Sequence, residues 1–240
     1  MQTVVSQLFG VPAEKVAVIM IHLAKAKERE PKILALQQAT QTPFEIFHGI
    51  DGAIAVEDGH PTTCALEKAK IRTAGEVGCL LSHVEVARQA LARGLEAVIV
   101  FEDDCEPGPD CKIVNLYGWL NAVLTFFKSF SWPGSQDLIL LGTGGTYDLV
   151  PLTQFFKGTR RFNCTHAYLM RRPMMQRVVD TYEMIKKRGQ MVPIDGLLGL
   201  ILRAEKKLAI APIRDDMFFK QDRSLPSYVL GDGKTLRKEG

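Results

Sequence analysis

The chain has 240 residues, 46% of them hydrophobic, and 30 basic side chains against 27 acidic ones give a formal net charge of +3. That is enough apolar material for one sizeable α/β domain, and the charge is too evenly balanced for a nucleic-acid-binding surface. Five cysteines without a CxxC pair indicate neither a disulfide framework nor a zinc knuckle, so they read as reduced thiols.

The opening, MQTVVSQLFGVPAEK, lacks the basic segment of a secretion signal, and no window reaches the roughly 18 uninterrupted apolar residues of a spanning helix. The expectation is a soluble, cytoplasmic protein with at most peripheral contact at the inner face of a membrane. Residues 16–23 (VAVIMIHL) form an apolar run of strand length. A charged, helix-permissive segment follows over 24–40, then a short strand over 44–50 closing on Asp51-Gly52. Residues 54–71 read as a loop-rich connection. Thr73 and Glu76 have the spacing of a capping box, and Val77, Leu80, Leu81, Val84, Ala87 and Leu91 continue at helical spacing to a stop at Arg93-Gly94.

The next strand, 97–101, runs into Glu102, Asp103 and Asp104. Three adjacent carboxylates repel one another, and at the mouth of a sheet each holds its proton unless a cation compensates. Read locally, the triplet is either a cation site or a solvated turn before Pro107-Gly108-Pro109-Asp110. Downstream the pattern predicts a helix over 114–130, broken by Trp132-Pro133-Gly134-Ser135, and a strand over 137–141 ending in the glycine-rich turn 142–145. A strand over 166–170, helices over 173–187 and 194–206 and a last strand over 208–211 complete the alternation. The fold class is therefore α/β: one Rossmann-like domain over 1–230 with ligands at the carboxyl ends of its strands, and a polar tail over 231–240.

Ordered short motifs carry a resemblance. Gly75-Glu76-Val77-Gly78-Cys79-Leu80-Leu81-Ser82-His83 followed by Val98-Ile99-Val100-Phe101-Glu102-Asp103-Asp104 is similar to the paired signature of the family 25 glycosyltransferases, the lipopolysaccharide-biosynthesis group related to collagen galactosyltransferases. Phe47-His48-Gly49-Ile50-Asp51-Gly52, Thr165-His166-Ala167-Tyr168-Leu169-Met170, Pro193-Ile194-Asp195, and Gln221 with Ser224 resemble further family elements in the same order. The first strand departs from the family pattern: Ile21-His22-Leu23-Ala24-Lys25, with Arg29 the one arginine nearby, stands where an N-L-x-R element is usual.

The resemblance implies a GT-A-like fold with a mixed, mostly parallel sheet flanked by helices. It also implies a UDP-sugar donor, galactose favoured, and inverting transfer to a saccharide or glycolipid hydroxyl. Mn²⁺ or Mg²⁺ would sit on Asp104 with Glu102, Asp103 contributing directly or through water, and stabilise the leaving diphosphate. Asp195 is the candidate base, with a helix N-terminal charge as its other reading. Asp51, His83, His166 and Gln221 are candidate donor contacts. For Asp51 the alternative is a turn, for His83 a packed core histidine, and for His166 and its neighbours Arg160, Arg161, Arg171 and Arg172 a charged surface. Competing functions are a metal-dependent phosphohydrolase, a glycosidase using Asp104 and Asp195 as its pair, and a catalytically silent sugar-nucleotide-binding or scaffold protein of the same fold.

Overall fold

A sheet of eight strands organises the chain in a computed structural model that describes residues 2–66, 72–112, 118–122, 125 and 137–222. In chain order the elements are α1 Gln2–Phe9, β1 Val16–His22, α2 Glu30–Thr40, β2 Glu45–His48, α3 Gly52–Glu57, α4 Ala74–Ala92, β3 Ala97–Glu102 and β4 Cys105–Pro107. After them come β5 Leu138–Gly142, β6 Gly145–Tyr147, β7 Val150–Pro151, β8 Phe156–Thr159, β9 Arg161–Asn163 and β10 Ala167–Arg171. The last are α5 Arg172–Lys186, α6 Ile194–Ala204, β11 Ala209–Pro212 and β12 Phe219–Gln221.

The main sheet runs β2-β1-β3-β10-β5-β11-β8-β7, and all strands but β10 and β8 point the same way. This is the expected mixed, mostly parallel sheet. The continuous apolar run of β1 has a direct cause, since both faces of the sheet are covered. Val16, Val18 and Met20 enter the cluster that contains Leu36 of α2, whereas Ala17, Ile19 and Ile21 enter the one built on α4, α5 and α6. Each such buried Val, Ile or Met side chain stabilises the fold by roughly 1.5–3 kcal/mol before entropy is counted.

Helix α4 starts where the sequence predicts. Thr73 Oγ1 accepts from Glu76 N at 3.2 Å, and Glu76 Oε2 accepts from Thr73 N at 3.0 Å. Its first turns press on α3: a Cβ on Gly78 would lie 2.5 Å from Ile50 O, and one on Gly52 would lie 1.6 Å from Ala74 O. Ser82 extends the contact, its Oγ accepting from Ile50 N at 2.8 Å and donating to Gly78 O at 2.7 Å.

Several expectations are corrected. The presumed loop at 54–71 begins inside α3, which forms because Asp51 caps it and Ala55 is buried against α4. Strand β2 is shorter than 44–50, and α1 had no strong pattern. Strands β4, β6, β7, β8, β9 and β12 are two to four residues long, too short for a periodicity to register. Most of the predicted helix over 114–130 and all of the tail over 231–240 lie outside the described residues. Trp119 and Leu120, which are described, are buried.

Candidate functional site

The parallel strands β1, β2 and β3 end together, so their carboxyl ends bring His22, the Gly49–Asp51 turn and the Glu102-Asp103-Asp104 triplet to one edge. Beyond the triplet β4 pairs with β12, which carries Gln221 to the same edge.

The three carboxylates have different partners. Glu102 turns to α4, its Oε1 3.1 Å from His83 Nε2, while His83 Nδ1 lies 2.8 Å from the Tyr168 hydroxyl. Burial works against the Glu102 charge, but the His83 hydrogen bond, with the charges of His83, His166 and Arg29, holds its carboxyl below the ordinary range. Asp103 is enclosed: His22 Nδ1 lies 2.9 Å from Oδ2, Leu23 N donates to Oδ2 at 3.1 Å, and the buried Arg29 guanidinium pairs with Oδ1. The residues that depart from the usual first-strand pattern are therefore the ones that hold Asp103.

Asp104 is arranged differently again. Gln221 Nε2 donates to its Oδ2 at 3.0 Å, and Arg29 Nη1 stands 3.9 Å from that oxygen. Its other oxygen, Oδ1, is buried with no hydrogen-bond partner among the described residues. Burial first, then the charge of Glu102, push the Asp104 carboxyl up to about 7. The backbone is fixed by Asp222 N donating to Asp104 O at 2.7 Å.

Asp195 opens α6 and accepts from Cys164 N at 3.3 Å and Gly196 N at 2.7 Å. Burial raises its pKa despite those two bonds, and Glu102 adds to the effect. The Cys79 thiol is pushed well up by burial and then by Glu102, Asp195 and Asp104, so carboxylates drawn from both halves of the chain converge around it. A carboxylate-rich edge of this kind is complementary to a cation.

Other sequence candidates have plainer settings. Asp51 caps α3 by accepting from Ala53 N at 3.0 Å, and Lys25 Nζ at 2.6 Å is the main cause of its lowered pKa. His166 sits within the cluster, its carbonyl accepting from Glu102 N at 2.9 Å and its Nε2 3.3 Å from Phe219 O. The basic group around it does not assemble. Arg171 pairs in register with Ala97, at the opposite end of β3 from Glu102, because a five-residue strand carries the chain about 17 Å. Arg172 caps Leu95 O there, while Arg160 bonds Lys207 O and Arg161 lies over the Tyr147 ring. In the turn after β5 the amides of Thr143, Gly144 and Thr146 donate to Asp215 or Asn163, so they are not open to a phosphate. Sequence reasoning left Tyr168 and His22 without a role: each acts through a partner more than 80 residues away, which no local signal marks.

With this geometry, comparison with known proteins is informative. The sequence profile of glycosyltransferase family 25 (LPS biosynthesis protein) matches residues 16–129. The resemblance read from the motifs is thus shown over the stretch that begins with β1 and includes β4. Among curated relatives, the human inactive glycosyltransferase 25 family member 3 is 33% identical over 95 residues, 36% of this chain and 16% of that protein. A putative glycosyltransferase of Haemophilus influenzae is 32% identical over 96 residues, 39% of this chain and 34% of that protein. Human procollagen galactosyltransferase 2 is 28% identical over 96 residues, 36% and 15% of the two chains. The chain spans between about a sixth and a third of the length of these relatives. A solved glycosyltransferase involved in glycosylation of the major capsid of PBCV-1 aligns over 89% of this chain and 94% of its own, with 10% identity and a TM-score of 0.45. Among the described residues no helix is long and apolar enough to cross a membrane.

Proposed function

Taking the match of residues 16–129 to glycosyltransferase family 25 as the premise, we propose that this protein is a glycosyltransferase that uses a nucleotide-sugar donor at the edge where β1, β2 and β3 end. The donor proposed is a UDP-hexose, galactose favoured, and the acceptor a saccharide or glycolipid hydroxyl in lipopolysaccharide or other glycan biosynthesis. The observation that carries the reading is the buried Oδ1 of Asp104, near Glu102 and unpartnered among the described residues. A buried carboxylate oxygen without a donor is costly, and a hard divalent cation, Mn²⁺ or Mg²⁺, is its natural complement.

Asp104 and Glu102 would hold that ion. Asp103 does not fit the role, because His22, Leu23 and Arg29 take both of its oxygens. When bound, the cation supplies Lewis-acid stabilisation of the negative charge that grows on the leaving diphosphate. Gln221 orients Asp104, and His83 with Tyr168 orients Glu102. Asp195 is the proposed base: its raised pKa suits a carboxylate that must take a proton from an acceptor hydroxyl, and attack opposite the leaving group would invert the anomeric centre.

Calorimetric titration with UDP-galactose, UDP-glucose and UDP-N-acetylglucosamine, in Mn²⁺ and then in chelator, tests this reading. Metal-dependent binding of one donor, lost in Asp104→Ala, is expected; no binding of any of the three, or binding indifferent to metal and to Asp104, overturns it. A second reading has its own support, because some relatives are described as inactive and His22 and Arg29 are committed to Asp103. A silent sugar-nucleotide-binding protein would bind donor with Mn²⁺ but neither transfer nor hydrolyse it.

A further inference from the structure

Cys79, His83 and Glu102 each offer one donor atom, and the three atoms lie within 4.8 Å of one another. Cys79 and His83 are four residues apart on α4, so their side chains share a face, and Glu102 meets them from the end of β3. From this geometry we infer a second metal site, in which Cys79, His83 and Glu102 bind a thiolate-seeking transition metal of the Zn²⁺ class. The inference goes beyond the donor-site reading and stands without it; were both ions bound, Glu102 would bridge them.

The ligand set decides the class of ion. Sulfur, imidazole nitrogen and one carboxylate oxygen suit Zn²⁺, whereas Mn²⁺ and Mg²⁺ favour oxygen alone. In a tetrahedral zinc site the usual bond lengths put nitrogen and oxygen ligands about 3.3 Å apart. His83 Nε2 and Glu102 Oε1 are already 3.1 Å apart, and the Cys79 thiol, within 4.8 Å of both, is the ligand left to close in. His83 is also braced as a metal-bound histidine should be, with the Tyr168 hydroxyl 2.8 Å from its other ring nitrogen. When Nδ1–H donates to the Tyr168 oxygen, Nε2 presents its lone pair to the ion. The proton otherwise shared between Nε2 and Glu102 then resides on Nδ1, and the thiol proton leaves to solvent. Three protein ligands leave the fourth position to water or to a ligand at the site.

The test uses the full chain and metal alone, without nucleotide. Titration with Co²⁺ as a zinc surrogate should give a sulfur-to-cobalt charge-transfer absorption that saturates at about one equivalent and is displaced by Zn²⁺. The band should disappear in Cys79→Ser and persist in Asp104→Ala and in the Cys111→Ser/Cys164→Ser double variant. Tyr168→Phe, which removes only the brace, should weaken binding about 10–100-fold. No band in the wild type, a band surviving in Cys79→Ser, or one lost in Asp104→Ala overturns the inference. X-ray absorption of the zinc-loaded wild type keeps the test independent of how the variants fold: one sulfur in the coordination sphere is expected, and a sphere without sulfur refutes the site.

Discussion

Gln221 Nε2 donates to Asp104 Oδ2 at 3.0 Å across 117 residues of chain, tying the last described strand to the acidic turn after β3. That bond leaves Oδ1 as the unpartnered oxygen and also lowers the carboxyl's pKa against the upward push of burial. Gln221→Ala should therefore raise the Asp104 titration midpoint further and destabilise the fold by about 1–3 kcal/mol, the usual cost of losing a hydrogen bond to a buried carboxylate. Carbonyl NMR of labelled aspartate together with urea unfolding would check both. An unmoved midpoint would mean that Gln221 does not engage Asp104 in solution.

The pKa of Asp104 also makes metal-free stability depend on pH. Its carboxyl titrates at about 7 in the fold against an ordinary 3.8, so between those values the native state keeps a proton that the unfolded chain has released. Stability then falls as pH rises through this window. Asp104→Asn should remove that slope and be the more stable protein at pH 8, by up to about 4 kcal/mol, with little difference near pH 4. Chelated wild type and variant melted across the range would settle the sign.

Gly78 has no room for a side chain, because a Cβ there would lie 2.5 Å from Ile50 O and 2.7 Å from Gly52 N, both backbone atoms that cannot swing away. Gly78→Ala should cost about 1–3 kcal/mol or more by forcing α3 off α4, despite alanine's better helix propensity. Gly189→Ala, at φ +66 but with no atom within 4 Å, separates crowding from backbone strain. Urea midpoints that rank the two equally would argue against the close helix contact.

Thr73→Ala removes one arm of the capping box on α4 and should destabilise by about 1 kcal/mol. The Cys79 and His83 pair rides on this helix, so a shortened α4 should lower Co²⁺ affinity far less than Cys79→Ser. Thermal melts and the cobalt titration report the two effects separately.

Asp195→Asn bears on the catalytic proposal alone. It keeps the shape and can still accept from Cys164 N, so donor affinity should stay within a factor of a few. Transfer should drop by about 10²–10⁴-fold, the usual contribution of a general base. An undiminished kcat in an acceptor assay would remove Asp195 from the mechanism.

Local pattern was sufficient for the elements that frame the site. The apolar run of β1, the capped and periodic α4 and the strand that ends in three carboxylates were all legible, because each is dictated by burial and hydrogen bonding within a few residues of itself. The motif order likewise pointed to the family whose profile matches residues 16–129. The individual roles within the triplet were not legible. Tertiary structure alone commits Asp103 to His22 and Arg29, Glu102 to His83, and leaves one oxygen of Asp104 unpartnered. It also sends Arg171 and Arg172 to the far end of the sheet from His166, although five and six positions separate them in sequence. The physical reason is the same in each case: a carboxylate's charge and protonation depend on what surrounds it in space, and here the partners come from α4, the segment from His22 to Arg29, and β12, up to 117 residues away.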